Sequence, residues 1–149
     1  YGLVGSEMCI RDSSAGAVLN ANYLMKQLMD HYDMSYNTRC MHEFVMTLDR
    51  LHRETGVSAL DIAKGLLDNG IHPPTMYFPL IVHEALMVEP TETESKATMD
   101  EAIEVFRALA RLAHEDPEAL HTAPHNTPVR RLDEVQAARN PVLRAALAE

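Results

Sequence analysis

The stretch from Ile71 to Ser95, IHPPTMYFPLIVHEALMVEPTETES, constrains the fold more than any other part of the chain. Pro73, Pro74, Pro79 and Pro90 each lock their own φ and remove a backbone donor, and Phe78, lying before Pro79, is pushed out of the α region. Proline is tolerated at sheet edges and strand ends, so two short strands, about Thr75–Phe78 and Ala85–Glu89, fit better than one long one. A helix ends ahead of this stretch at Gly70, and the longest helix begins just after Ser95.

The flanking segments supply the remaining elements. Residues 1–14, YGLVGSEMCIRDSS, lack a sustained amphipathic pattern and read as a leader, foreign or flexible, of poor order. From about Ala15 to Tyr32, Val18, Ala21, Leu24, Leu28 and Tyr32 recur at helical spacing. Residues 33–39, DMSYNTR, read as a polar connection, and Cys40–Leu48 as a strand with His42, Phe44, Met46 and Leu48 on one face and Glu43 on the other. Asp49–Thr55 reads as a short helix or loop closed by Gly56.

The helix over 59–69 carries the clearest signals. Ser58 is placed to cap it, Asp61 sits at N3, and Val57 and Ile62 occupy the positions of a hydrophobic staple. Leu60, Ala63 and Leu67 are expected to face inward, with Gly70 as a left-handed terminator. After Ser95 a helix to about Glu115 presents Met99, Ile103, Phe106, Ala110 and Ala113, with Glu101, Glu104, Arg107 and Arg111 on the wet side. Asp116-Pro117 stops it, Pro117–His121 adds a turn, 123–131 is a loop, and Asp133–Arg139 is a short helix before a basic-apolar tail. Strands interleaved with helices in this way predict an α+β domain, a small antiparallel sheet with helices packed on one face.

Composition narrows the classes of function. The formal charge of -9 argues against nucleic acid, which needs clustered Lys and Arg. No apolar run approaches the ~20 residues of a membrane span. Two cysteines without a CxxC pair suit a reducing cytoplasm, and a chain of 149 residues is long enough to bury a core without a disulfide or metal staple.

Several residues carry chemistry worth weighing. His42 and Glu43 lie in HEF without the second histidine of a zinc-protease pattern, and with Cys40 they fall short of a metal site. They read as a half-buried histidine beside a surface glutamate, or as part of a pocket. Glu89, Thr91, Glu92 and Glu94 form an acidic cluster, which helix starts also favour on electrostatic grounds. His125, Thr127, Arg130 and Arg131 form a donor-rich loop suited to a carboxylate, or a solvated loop anchored by its prolines. Lys26, Lys64 and Lys96 all fall on predicted helices at positions typical of solvated side chains, and neither a GxGxxG nor a P-loop pattern is present.

The strings HPPTMYFPLIVHEALMVEPTETES, AVLNANYLMKQL and APHNTPVRRLDEVQAARNPVLR resemble the C-terminal domain of glycine dehydrogenase (decarboxylating), the P-protein of the glycine cleavage system, and most of all the second subunit of the two-subunit bacterial form. The resemblance spans about Ala17 to Arg144. The chain departs from the family pattern at His83, where proline is expected, at Asn126, where threonine is expected, and at Ala145, near which an aromatic residue is expected.

The resemblance implies the small C-terminal domain of an aspartate-aminotransferase-like, fold type I enzyme dependent on pyridoxal phosphate. Residues 15–149 are then that domain, and the cofactor lysine belongs to a large domain outside this chain. It implies that the intact enzyme decarboxylates glycine and passes the aminomethyl group to the lipoyl arm of H-protein, as a heterotetramer with two copies each of subunits 1 and 2. In that setting His42, Glu43, Glu89, Thr91, His125, Thr127 and Arg130 are the candidate pocket or interface residues, with no cofactor ligand and no metal ligand among them. The severed domain is expected to be inactive alone. A free-standing, non-enzymatic α+β binding module, or the small domain of another decarboxylase of the same cofactor class, are the alternatives.

Overall fold

Both proline-bounded strands form at the expected places but shorter, Thr75–Met76 and Ala85–Val88 where Thr75–Phe78 and Ala85–Glu89 are expected, the first cut off by the left-handed Tyr77. In the computed structural model, which describes residues 3–144, the elements are α1 (Leu3–Leu28), β1 (Asp33–Met34), β2 (Phe44–Thr47), α2 (Asp49–Thr55), α3 (Ala59–Asp68), β3 (Thr75–Met76), β4 (Ala85–Val88), α4 (Lys96–Glu115), α5 (Pro117–His121) and α6 (Glu134–Arg139). The four strands make one antiparallel sheet in the order β1-β2-β4-β3. This is the expected α+β architecture. The position near Ala145, and residues 1–2 of the leader, lie outside the described residues.

Register decides which face is covered. Phe44 stands opposite Val88 and Met46 opposite Leu86, so all four side chains share one face, and all four are buried. Their alternates Val45 and Met87 are only half-buried. The buried face joins one core with Leu24 and Leu28 of α1, Ile62 and Leu66 of α3, and Ile103 and Phe106 of α4. Each such side chain, taken fully out of water, contributes on the order of 1.5–3 kcal/mol.

Hydrogen bonds at three residues of α1 fix it alongside α4 and the turn before it, in the same direction. Asn20 donates to the Thr91 and Glu94 carbonyls, the Tyr23 hydroxyl to Asp100, and the Arg107 guanidinium to the Gln27 carbonyl. Tyr32, fully buried, donates to the Phe106 carbonyl at 2.7 Å and packs edge-on against its ring at 5.9 Å. Burial pushes its phenol well above the usual range. Helix α3 runs the other way along α4, so that Gly65 faces Leu109 while Asp61 reaches His121 just beyond the end of α4.

The start and stop of α3 are built as the sequence indicates. Ser58 accepts from the Asp61 amide, and the Asp61 carboxylate accepts from the Ser58 amide at 2.8 Å, a complete capping box. At the other end Gly70 is left-handed (φ 73°). The Gly70 amide donates to the Leu67 carbonyl and the Ile71 amide to the Leu66 carbonyl, a Schellman termination.

The structure corrects five further expectations. The first helix begins at Leu3 rather than near Ala15, because nothing before Pro73 carries a ring that would break it; it ends at Leu28, with Tyr32 in the following turn. The connection 33–39 contains β1, whose Asp33–Met34 pairs with Thr47 and Met46. The strand expected over Cys40–Leu48 is only Phe44–Thr47, since Asn22 takes both the amide and the carbonyl of Cys40 away from any ladder. The inward face of α3 is Ala59, Ile62, Ala63 and Leu66, with Leu60 and Leu67 half-buried at its margins. Arg107, expected on the wet side, turns back onto α1 through Gln27.

Candidate functional site

A cleft of about 800 Å³ opens where β3, β4 and the start of α4 meet. Leu24, Met87, Met99 and Phe106 give it an apolar floor, and Glu89, Glu94 and Glu101 stand among its walls. Two of the sequence candidates, Glu89 and Thr91, line it. His42 sits just outside, its Nε2 4.0 Å from Glu89 Oε1, with both side chains half-exposed. Glu43 is half-buried, on the strand approach beside them.

Thr91 is held unusually. Its φ of 60° is left-handed, a region a β-branched side chain enters only under constraint. The constraint is visible: Asn20 on α1 binds its carbonyl at 2.9 Å and that of Glu94 at 3.1 Å, and the Thr91 and Thr93 hydroxyls lie 2.9 Å apart. The turn that shapes the cleft mouth is therefore fastened to α1. Such a residue adds strain to the ground state, a feature common at ligand clamps.

The loop candidates lie elsewhere. His125 and Asn126 give consecutive backbone amides to the Asp68 carboxylate at 2.6–2.8 Å, and His125 Nδ1 adds a contact at 3.0 Å. Burial would raise the Asp68 carboxyl, but these donors outweigh it and hold it below its ordinary value. His125 borders a second, smaller cavity of about 250 Å³ beside Gly65, Leu109 and Leu120. Thr127 donates to the Val129 carbonyl at 2.6 Å and stiffens its own loop. Arg130 is exposed. The structure thus brings Glu89, Thr91 and His42 together and leaves His125, Thr127 and Arg130 apart from them.

Arg131, not Arg130, is the anchored arginine. Its guanidinium donates to Asp61 at 2.6 Å and to the Ala123 and Leu120 carbonyls. Asp61 is the one buried charged residue among the described side chains. Burial pushes its carboxyl up, yet the donors from Ser58 and Arg131 bring it below the ordinary carboxylate value. Asp61, Asp68 and Asn20 were the residues that sequence reasoning passed over as partners. Asp61 alone carried a local signal, as the N3 acid, and nothing nearby in sequence pointed to its distant arginine.

A pyridoxal-phosphate site does not fit the residues present. Lys96 is committed to Asp100 at 2.6 Å and lies over the Tyr23 ring, Lys26 is exposed, and neither Lys64 nor any other lysine lines the cleft. The acidic walls also disfavour a phosphate. Among the described residues no group of three or more His, Cys, Asp or Glu is placed to hold a metal ion, and no helix is long and apolar enough to cross a membrane.

Comparison with known proteins identifies the family of this domain. Residues 13–128 match the family model described as glycine dehydrogenase, C-terminal domain. The probable glycine dehydrogenase (decarboxylating) subunit 2 of Treponema denticola is 63% identical over 141 residues, which is 95% of this chain and 29% of the relative. Those of Thermotoga petrophila and Desulforamulus reducens are each 58% identical, over 86% and 90% of this chain and 27% and 28% of theirs. The chain spans under a third of the length of these curated relatives. With a family model covering residues 13–128, from the middle of α1 to the loop after α5, the chain belongs to the glycine dehydrogenase C-terminal domain family.

Proposed function

We propose that this chain is the C-terminal small domain, residues 15–149, of a glycine dehydrogenase (decarboxylating) of the subunit 2 type, dependent on pyridoxal phosphate. The observation that carries the reading is a pairing: subunit 2 relatives align along nearly the whole chain, and the chain has a built cleft without a cofactor lysine. Pyridoxal phosphate, bound by the larger part of the protein, supplies the electron sink for loss of CO2 from glycine. This chain supplies a wall. Glu89, with Glu94 and Glu101 along the same cleft, favours the ammonium end of a small amino acid and repels stray anions. Thr91, fastened to α1 by Asn20, sets the position of that wall relative to the helix leading to the rest of the protein. His42 and Glu43 line the approach beside Glu89, and His125, Thr127 and Arg130 belong to an interface rather than the pocket. The partners of the intact enzyme are glycine, a lipoylated H-protein and subunit 1 in a tetramer with two copies of each subunit, in the cytoplasm. A free-standing binding module is not favoured, because the relatives continue for more than twice the length aligned here.

The test is expression of the full-length subunit with subunit 1, followed by glycine-dependent CO2 release and borohydride trapping of the cofactor. Activity with the trapped lysine outside residues 1–149 supports the reading. A trapped adduct on Lys26, Lys64 or Lys96 sinks it, as does a full-length gene that encodes no cofactor domain.

A further inference from the structure

The loop between β3 and β4 is the most conspicuous surface that this function leaves unused. Residues 77–82, YFPLIV, contain no charged side chain. Leu80 is 88% and Ile81 84% exposed, with Tyr77 and Phe78 also open to solvent. Four large apolar side chains in one short loop exceed what a surface carries by chance and mark an interaction site.

The loop is not a slack connection. The Tyr77 amide donates to the Ala85 carbonyl and the Leu48 amide to the Glu84 carbonyl. The Thr47 hydroxyl donates to the His83 carbonyl at 2.6 Å, and the Glu84 carboxylate accepts from the Ala59 amide at 2.6 Å. Both residues at its base, Tyr77 and Glu84, are left-handed, with φ of 56° and 47°. The domain thus constrains the backbone of this loop and presents Leu80 and Ile81 almost fully to solvent, with Tyr77 and Phe78 partly exposed beside them. At its base Tyr77 neighbours Ser58, which bonds Asp61, the partner of Arg131 in the C-terminal arm.

This apolar end adjoins the cleft on the side away from Thr91: Thr75 and Met87, which line the cleft, pair in the hairpin that carries the loop. Asn20 of α1 meets the start of α4, at the cleft, whereas His114 at the end of α4 approaches Glu54 of α2, the helix whose Asp49 holds His83 of the loop. The strand from Ala85 to Val88 and the turn to Thr91, six steps of at most about 3.3 Å each, set the base of the loop at most about 20 Å from the Thr91 end of the cleft.

We propose that the loop Tyr77–Ile81 is a second anchoring surface, covered by the larger N-terminal part of the same subunit. The inference rests on the reading of this chain as a C-terminal domain. Its occupant follows from three observations. An uncharged, largely apolar loop matches the more hydrophobic character of permanent interfaces better than that of a transient carrier contact. The relatives devote more than two thirds of their length to sequence outside this domain, enough to reach both ends of it. Covalent connection through α1 supplies that covering at high effective concentration without a second chain. The domain is then mounted at two points, one at the cleft and one at the apolar end.

Hydroxyl-radical footprinting of the full-length subunit, checked for CO2 release in the presence of subunit 1, tests this. Side chains 77–81 should oxidise about tenfold slower than in a free YFPLIVHE peptide, in the subunit alone and independently of its concentration. Protection that appears only on adding subunit 1, or that grows with subunit concentration, overturns the proposal in favour of a partner subunit or a second copy. Peptide-like oxidation in an active enzyme overturns it outright. The double variant Leu80→Asp, Ile81→Asp should lose the slow oxidation at Tyr77 and Phe78; unchanged protection there counts against the proposal. Failure of the functional reading is separate, and shows as absent glycine turnover whatever the footprint.

Discussion

Arg131 Nη2 lies 2.6 Å from Asp61 Oδ1, across 70 residues of sequence, and the same nitrogen reaches the Leu120 carbonyl at 2.9 Å. Asp61 is thereby the cap of its own helix and the counter-charge for the C-terminal arm. Asp61→Asn removes the charge that a partly buried guanidinium faces and weakens the capping box, and should cost about 2–3 kcal/mol. Arg131→Met leaves Asp61 its two Ser58 donors and should cost about 1–2 kcal/mol. Urea midpoints of the two variants check the order; an equal or reversed cost would mean that the arm, and not the cap, dominates.

Acid should unfold the domain through these same carboxylates. Asp61 and Asp68 both sit below their ordinary values, the raising effect of burial being outweighed by hydrogen bonds. A carboxyl depressed in the folded state adds stability that is fully present above its unfolded value, about 3.9, and is lost as pH falls through the lower folded value. Stability attributable to them is therefore flat above about pH 5 and drops below about pH 4. Asp68→Asn should make the acid limb shallower, read as denaturant midpoint against pH.

Two glycines should respond to alanine for different reasons. At Gly65 an added Cβ would meet Leu109 Cδ2 at 2.8 Å and Leu120 Cδ2 at 3.1 Å, an overpacked contact costing about 1–3 kcal/mol. At Gly70 nothing lies within 4 Å, and the cost is the left-handed backbone alone, about 1 kcal/mol. Trimming Leu109 to Val should partly rescue Gly65→Ala and leave Gly70→Ala unchanged, as thermal midpoints would report.

Thr91→Gly separates strain from stability. Glycine accepts the left-handed φ that Thr91 bears, so folding stability should hold or rise slightly, by less than about 1 kcal/mol. In the full-length enzyme the cleft mouth would lose its stiff side chain, and glycine turnover should fall while the melting temperature does not. A parallel loss of both would assign Thr91 a purely structural role.

How far the sequence carried depends on the range of the interaction involved. The capping box of α3 and the strands bounded by Pro79 and Pro90 are local, and Ser58, Asp61 and the proline spacing announce them. The inward face of α3 is not local. Leu60 and Leu67 match helical spacing as well as Ile62 and Leu66 do, and what selects the second pair is the approach of Leu109 and Leu120 to Gly65. β1, two residues long, exists only because Thr47 and Met46 offer it a ladder. In the candidate site, Glu89 and Thr91 were found together because one turn holds them. Arg130 and Arg131 are adjacent and chemically identical, and only the remote Asp61 distinguishes them.

The reach of the Asp61–Arg131 contact also sets an order of assembly. The capping box joins residues three apart and can close as soon as α3 has been synthesised, while the arginine that completes the same carboxylate leaves the ribosome 70 residues later. Until then Asp61 is a charge with a helix to cap and no cation to face. The segment around Arg131 is therefore a fastening: a truncation just before it would remove α6 and leave the sheet and helices α1 to α5 with their central carboxylate still waiting for its partner.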